Sequence, residues 1–248
     1  PPVGALISTT LMNVGFIAVF RVYTLFSSSV IFQFMNNVLI ISGILSILVA
    51  SGYMLKAKHL KRMLAYSSLE LMGLVAVATG VGGRGYYAAI LLIVLHSLVK
   101  SALFYQLGQL GGILGTYKLD ECGRYMELYP AGALVFLIGL FSILAIPPSG
   151  LFVGEFLIFR ELVTKEYWFI LIVTIILLCF IVYAMSTRFM HIIFSFPRGG
   201  MSAGPARNVR NIETVSQFLI LFLVIVMCFW QPAFITDLIN QTVAVLPK

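Results

Sequence analysis

Apolar residues run along this chain in long stretches separated by short polar breaks. A helix that crosses a bilayer needs about 20 mostly apolar residues. Seven stretches meet that need, at 3–20, 35–55, 63–80, 86–108, 130–163, 167–194 and 214–231. The fifth is too long for one straight crossing. At about 1.5 Å per residue it extends roughly 50 Å, against a hydrocarbon core of about 30 Å. Pro147-Pro148-Ser149-Gly150 stands in its middle. Two prolines remove two backbone donors, so the helix is expected to break there. Broken backbone at membrane depth is tolerated only inside protein or beside a watery cavity. The pattern therefore predicts an all-α polytopic membrane protein with about seven transmembrane helices, one of them broken.

Composition supports that class. Of 248 residues, 60% are hydrophobic and 10% are charged, and the mean hydropathy is +1.04. Soluble domains carry about 25% charged residues. A soluble enzyme, a nucleic-acid-binding domain and a disordered tail are all excluded. The net charge of +7 then reads as an excess of bases on one membrane face. Cys122, Cys179 and Cys228 are far apart, with no metal-binding or disulfide spacing.

The bases divide unevenly. Lys56, Lys58, Lys61, Arg62, Lys118, Arg124, Arg188, Arg198, Arg207 and Arg210 fall in breaks on one face. Arg21, Arg84, Arg160, Lys165 and Lys248 fall on the other. The positive-inside bias makes the first face cytoplasmic and puts the C-terminus outside the cell's inner (plasma) membrane. Residues 196–207, rich in Gly and Pro, are expected to form a flexible cytoplasmic loop. Pro1-Pro2 open the chain with no initiator Met, basic n-region or cleavage site, so a fragment or a split subunit is expected.

With Glu161 and the remaining acids placed in loops or at span ends, four ionisable residues stand inside spans: Glu70, His96, Lys100 and Glu155. A charge within a membrane costs a few kcal/mol or more, which makes each a functional candidate. His96 lies about 15 Å into the fourth span, near the midplane. Lys100 follows at i+4 on the same helical face. Both exchange protons when burial moves their affinities, as a buried proton wire requires. The blander reading is a His96 held by a neighbouring carbonyl and a Lys100 that snorkels to the membrane edge. Glu155 follows the predicted break by five residues, where water can reach unwound backbone; the alternative is neutralisation by a base on a neighbouring span. For Glu70, nearer the cytoplasmic end, a local ion pair and a relay role stand side by side.

Other patterns carry less. Gly80-Val81-Gly82-Gly83-Arg84-Gly85 fits GxGxxG by letter, but without a strand–helix unit it reads as a tight external turn. Gly108, Gly111, Gly112 and Gly115 have GxxxG spacing and are read as a helix end. Tyr66, Ser67 and Ser68 would line a polar path or bond their own helix carbonyls. Asn240-Gln241-Thr242 spells a glycosylation sequon to which no role is attached.

Several runs resemble one family. Lys61-Arg62-Met63-Leu64-Ala65-Tyr66-Ser67-Ser68 resembles the "KR-L-AYSS" helix start of antiporter-like proton-pumping subunits. These belong to respiratory complex I, group 4 nickel–iron hydrogenases and Mrp-type cation/proton antiporters. His96-Ser97-Leu98-Val99-Lys100-Ser101-Ala102-Leu103-Phe104 resembles the family's "H-x-x-x-K-A-L-L-F" helix. Ile146-Pro147-Pro148-Ser149-Gly150, leading to Gly154-Glu155-Phe156, resembles its broken helix, and Pro2-Val3-Gly4-Ala5-Leu6 its "P-V-S-A-L" helix start.

The resemblance implies helices eight to fourteen of a fourteen-helix subunit, as one transmembrane domain with 35–195 as the second inverted repeat. It implies that His96 and Lys100 transfer protons on a central axis and that Glu155 is the terminal ionisable residue. Glu70, in Ser68-Leu69-Glu70-Leu71-Met72-Gly73, resembles the hydrogenase variant of the pattern. Asn13 departs from it, since some relatives carry Lys or His there. The implied function is proton translocation in a redox-driven complex, with a hydrogenase-4 or formate hydrogenlyase type first. The subunit would hold no cofactor or metal and do no redox chemistry itself; its partners would be other membrane subunits, the lipid bilayer and protons, with no nucleic acid. The alternatives are an Mrp-type Na⁺/H⁺ antiporter subunit and a non-pumping scaffold.

Overall fold

A computed structural model describes residues 2–26, 30–197 and 211–246. The fold is all-helical, and among the described residues the sole β-type pairing is an isolated bridge between His59 and Lys118. The first span is α1 (Pro2–Leu6), a π-helical segment (Ile7–Leu11) and α2 (Met12–Leu25). There follow α3 (Phe32–Leu55), α4 (Leu60–Val81) and α5 (Arg84–Leu114). A short α6 (Tyr125–Leu128) leads into α7 (Pro130–Ile143), then α8 (Gly150–Thr164) and α9 (Trp168–Phe194). The chain closes with α10 (Asn211–Phe229) and α11 (Ala233–Ala244).

Among the described residues, five helices are long and apolar enough to cross a membrane, and a sixth span is added if the bent pair at the C-terminal end counts as one. The predicted fifth span is two helices, α7 and α8, separated by residues 144–149. Pro147 and Pro148 cannot donate to a continuing helix, and Ser149 opens α8 by accepting from the Leu151 amide at 3.2 Å. The seventh stretch departs from expectation. After Phe229 the chain turns by 73° into α11, a helix the hydropathy reading did not contain. Pro232 breaks the backbone ladder, and α11 carries Asp237, Asn240 and Gln241 among its apolar residues.

The core lies on α4 and α5, which are far more buried than α2, α3 or α9. The outward sides of α2, α3 and α9 expose large apolar residues such as Val14, Leu45 and Ile172, as a lipid-facing perimeter does. The α3–α4 hairpin is closed by glycine. A Cβ on Gly43 would lie 2.6 Å from the Gly73 carbonyl oxygen, and one on Gly73 2.7 Å from that of Gly43. The two backbones therefore touch, a contact any side chain would prevent.

The connections sort onto two faces. Leu60 N donates to Tyr117 O, Leu119 N to Lys58 O and Arg124 N to Ser195 O, all within 3.0 Å. The α3–α4 turn, the segment before α6 and the end of α9 thus share the base-rich face. On the opposite face, Lys165 Nζ donates to Val81 O at 2.6 Å, and Leu246 packs with Tyr23 and Tyr86. The glycine-rich run is the tight turn that was read from it. Gly82 and Gly83 have φ of 75° and 58°, which favours glycine. Gly108, Gly111 and Gly112 lie inside α5, and Gly115 ends it. Most of the expected flexible loop lies outside the described residues, as does Lys248.

Candidate functional site

The central helix α5 carries His96 and Lys100, both fully buried. Lys100 does not snorkel. Its Nζ donates to the Leu64 carbonyl and to Ser67 Oγ, the latter at 2.6 Å. Both acceptors are on α4, so the Lys61–Ser68 run supplies the seat for the lysine. Ser67 Oγ in turn donates to Leu64 O at 3.0 Å, and Ser68 Oγ to the same oxygen at 3.4 Å. The serines bond their own helix, and Ser67 receives the lysine as well.

His96 is not held by a carbonyl. Neither ring nitrogen has a hydrogen-bond partner among the described residues, although both are buried. Next to it on α5, Ser97 accepts from Asn13 Nδ2 at 2.7 Å. Ser8 on the π-segment meets Ser68 at 2.8 Å. The first span therefore adds two polar contacts to the α4–α5 axis. Asn13 Oδ1 is buried without a partner.

Glu70, one turn beyond Ser67 on α4, is also buried. It lies within electrostatic reach of both Glu155 and Lys100. Glu155 is half-buried on α8, and the helix seats by its glycines: Gly150 lies against Leu95 and Val224, Gly154 against Leu92. The described residues hold two ion pairs, Lys118–Glu121 and Arg124–Glu127, and neither involves Glu70 or Glu155. The fold thus brings the four predicted residues to adjoining faces of α4, α5 and α8. It offers no grouping of His, Cys, Asp or Glu suited to a metal ion among the described residues.

Two features went unread in the sequence. Glu161 looked like a span-end acid, yet it is buried, with its carboxylate folded against Gly83. A second cluster joins α5 to α6 and α10. Gln106 donates to Tyr125 OH at 2.6 Å, and Tyr129 OH meets Thr214 at 2.5 Å. Gln106, Gln109 and Gln217 each keep one buried amide atom without a partner among the described residues.

Residues 1–181 match a family described as NADH:quinone oxidoreductase/Mrp antiporter, transmembrane. The chain belongs to that family. Among curated relatives of this antiporter-like family, a hydrogenase-4 component F homolog from Methylacidiphilum infernorum is 29% identical over 222 residues, 89% of this chain and 46% of the relative. Formate hydrogenlyase subunit 3 of Escherichia coli is 26% identical over 172 residues, 64% of this chain and 28% of the relative. An Mrp complex from Dietzia sp. superposes with a TM-score of 0.81 over 97% of this chain and 52% of that one, at 15% identity. An archaeal membrane-bound sulfane sulfur reductase gives 0.81 over 99% and 49%, at 22% identity. The structural likeness establishes the antiporter-like fold. The chain spans half the length, or less, of the curated relatives it matches here.

Proposed function

We propose that this chain carries protons across the inner membrane as an antiporter-like subunit of a redox-driven complex, of the hydrogenase-4 or formate hydrogenlyase type. On this reading 1–248 is one transmembrane domain, 35–195 is an inverted repeat, the base-rich face is cytoplasmic and the C-terminus is outside. Partner subunits would perform the redox chemistry and deliver coupling as a change in charge or hydration along the axis.

The observation that carries the reading is the Lys100 seat. A lysine buried to zero exposure is held by one carbonyl and one hydroxyl, with Glu70 near but not paired to it. Such an ammonium is stabilised less than in a full ion pair, so it can give up its proton when the local charge changes. His96, one turn away with both nitrogens free of protein partners, accepts or passes that proton. Glu70 and Glu155 extend the line towards α8.

Arginine tests this directly, because it keeps the charge but holds its proton at any working pH. In assembled complex reconstituted into vesicles, Lys100→Arg is expected to block proton translocation about as fully as Lys100→Ala. If Lys100 only pins helices together, Arg preserves pumping and only Ala fails. A fully active Arg variant removes Lys100 from the path.

A further inference from the structure

We propose that the tip of the α3–α4 hairpin is a binding site for the phosphate headgroup of an anionic phospholipid. The tip holds a cavity of ≈ 610 Å³ lined by Lys56, Lys58 and Arg62, with Tyr53 and Tyr66 beside them. The cavity is also lined by His59, and by Lys118, Asp120 and Glu121 on its far wall.

The charges do not cancel. Lys118 is paired with Glu121 at 2.7 Å. That leaves Lys56, Lys58 and Arg62 against Asp120 alone, and none of the three makes an ion pair among the described residues. All three side chains are exposed. Two net positive charges around one concavity favour a phosphate monoanion or dianion, and guanidinium beside ammonium is the donor set that phosphate oxygens take.

The surroundings select a lipid over a free anion. Tyr53 and Tyr66 stack at 5.5 Å, and Tyr53 is 59% exposed. An amphipathic ring pair at the end of two apolar helices sits at the level of the glycerol and headgroup. Below Tyr53 nothing approaches within 4 Å of where a Gly52 side chain would stand. Leu48 and Leu45, 50% and 54% exposed, continue that open strip towards the membrane centre. A headgroup in the cavity therefore has an apolar groove for its acyl chain. Basic pockets between helices on the cytoplasmic side hold anionic headgroups in this way.

The test uses the intact complex that contains this chain, in nanodiscs carrying a trace of photoactivatable phosphatidylglycerol or phosphatidylcholine with the probe near the glycerol. Cross-links are mapped by mass spectrometry. Phosphatidylglycerol is expected to label residues 53–66 well above phosphatidylcholine. Replacing Lys56, Lys58 and Arg62 by Gln, singly and together, is expected to lower labelling by about fivefold per base removed. Inorganic phosphate in excess is expected to leave labelling in place. Equal labelling by the two lipids overturns the proposal, as does loss of labelling to inorganic phosphate, which assigns the cavity to a soluble anion. A segment unlabelled by either lipid but cross-linked to another subunit overturns it in favour of a protein contact. Should the triple variant fail to assemble, the comparison of the two lipids on the unaltered complex decides.

Discussion

At the scale of single residues, the site combines one well-held group with several that are poorly held. Lys100 has two acceptors, whereas His96 has none and Glu70 and Glu155 have no ion pair. An unpartnered buried polar group costs about 1–3 kcal/mol. Glu155→Gln keeps size and hydrogen-bonding atoms but removes the titrating proton. Proton translocation is expected to fall at least tenfold while the complex still assembles, read by pumping in vesicles beside native gel migration. Undiminished pumping takes Glu155 off the path. That Glu70, His96, Lys100 and Glu155 stand within helices of the bundle was legible because charges inside apolar stretches are rare and costly. Their partners were not: Leu64 O is a backbone atom of an apolar residue, and it becomes an acceptor for Lys100 only when α4 packs on α5. Glu161 was misread for a similar reason, since its burial comes from the Gly82–Gly83 turn of a different hairpin. The three glutamines gave no signal, because an uncharged amide near a helix end resembles any interfacial residue.

At the scale of elements, glycine contacts and proline breaks set where the ionisable groups stand. The α3–α4 backbones meet at Gly43 and Gly73, and Gly73 is one turn from Glu70. Gly73→Val would push a branched side chain into the Gly43 carbonyl. Overpacking of this kind costs about 1–3 kcal/mol, and more where the obstacle is backbone. The variant is expected to lose thermal stability by several degrees, or to fail to accumulate in membranes, while Gly52→Val on the open side of α3 is nearly neutral; fluorescence-detected size-exclusion profiles after heating compare them. The break before α8 was plain from Pro147-Pro148, because proline acts through its own covalent structure. The α11 helix was not, since its polar residues ended the apolar run at Trp230 and only the fold shows the turn after it. The π-segment left no mark in hydropathy, which records polarity and not backbone register.

At the scale of the whole molecule, the described connections named above divide into two sets, one tied by backbone hydrogen bonds and the other by a hydrogen bond and apolar packing. Residues 56–60, 117–124 and 195 share one set, and 81–85, 165 and 246 the other. Cysteine at position 58 is expected to react with an impermeant maleimide from the cytoplasmic side, and cysteine at position 84 from the outside only. Labelling of both from one side contradicts the assigned topology. Cys122 adds little background: burial and the neighbouring Glu121 charge push its thiol up to about 12, so on the order of one molecule in 10⁵ carries the reactive thiolate near neutral pH. The perimeter exposes broad apolar faces on α2, α3 and α9, whereas α4 and α5 are enclosed. Glu70, His96 and Lys100 therefore stand inside the bundle, away from its exposed apolar perimeter.

The first span shows how a change of helical phase serves that axis. Ser8 and Asn13 are five residues apart, and both face the central helices, through Ser68 and Ser97. In an uninterrupted α-helix, five residues leave two side chains about 140° apart, one turned in and one turned out. The π-segment bonds each residue to the fifth along, so this spacing becomes close to a full turn and both side chains point inwards. Wound instead as uninterrupted α-helix, the same five residues would turn the helix start by about 100° relative to Asn13. Ser8 would swing away from Ser68 while Asn13 kept its hold on Ser97. The register of one backbone turn thus decides whether the first span touches the axis at two heights or at one.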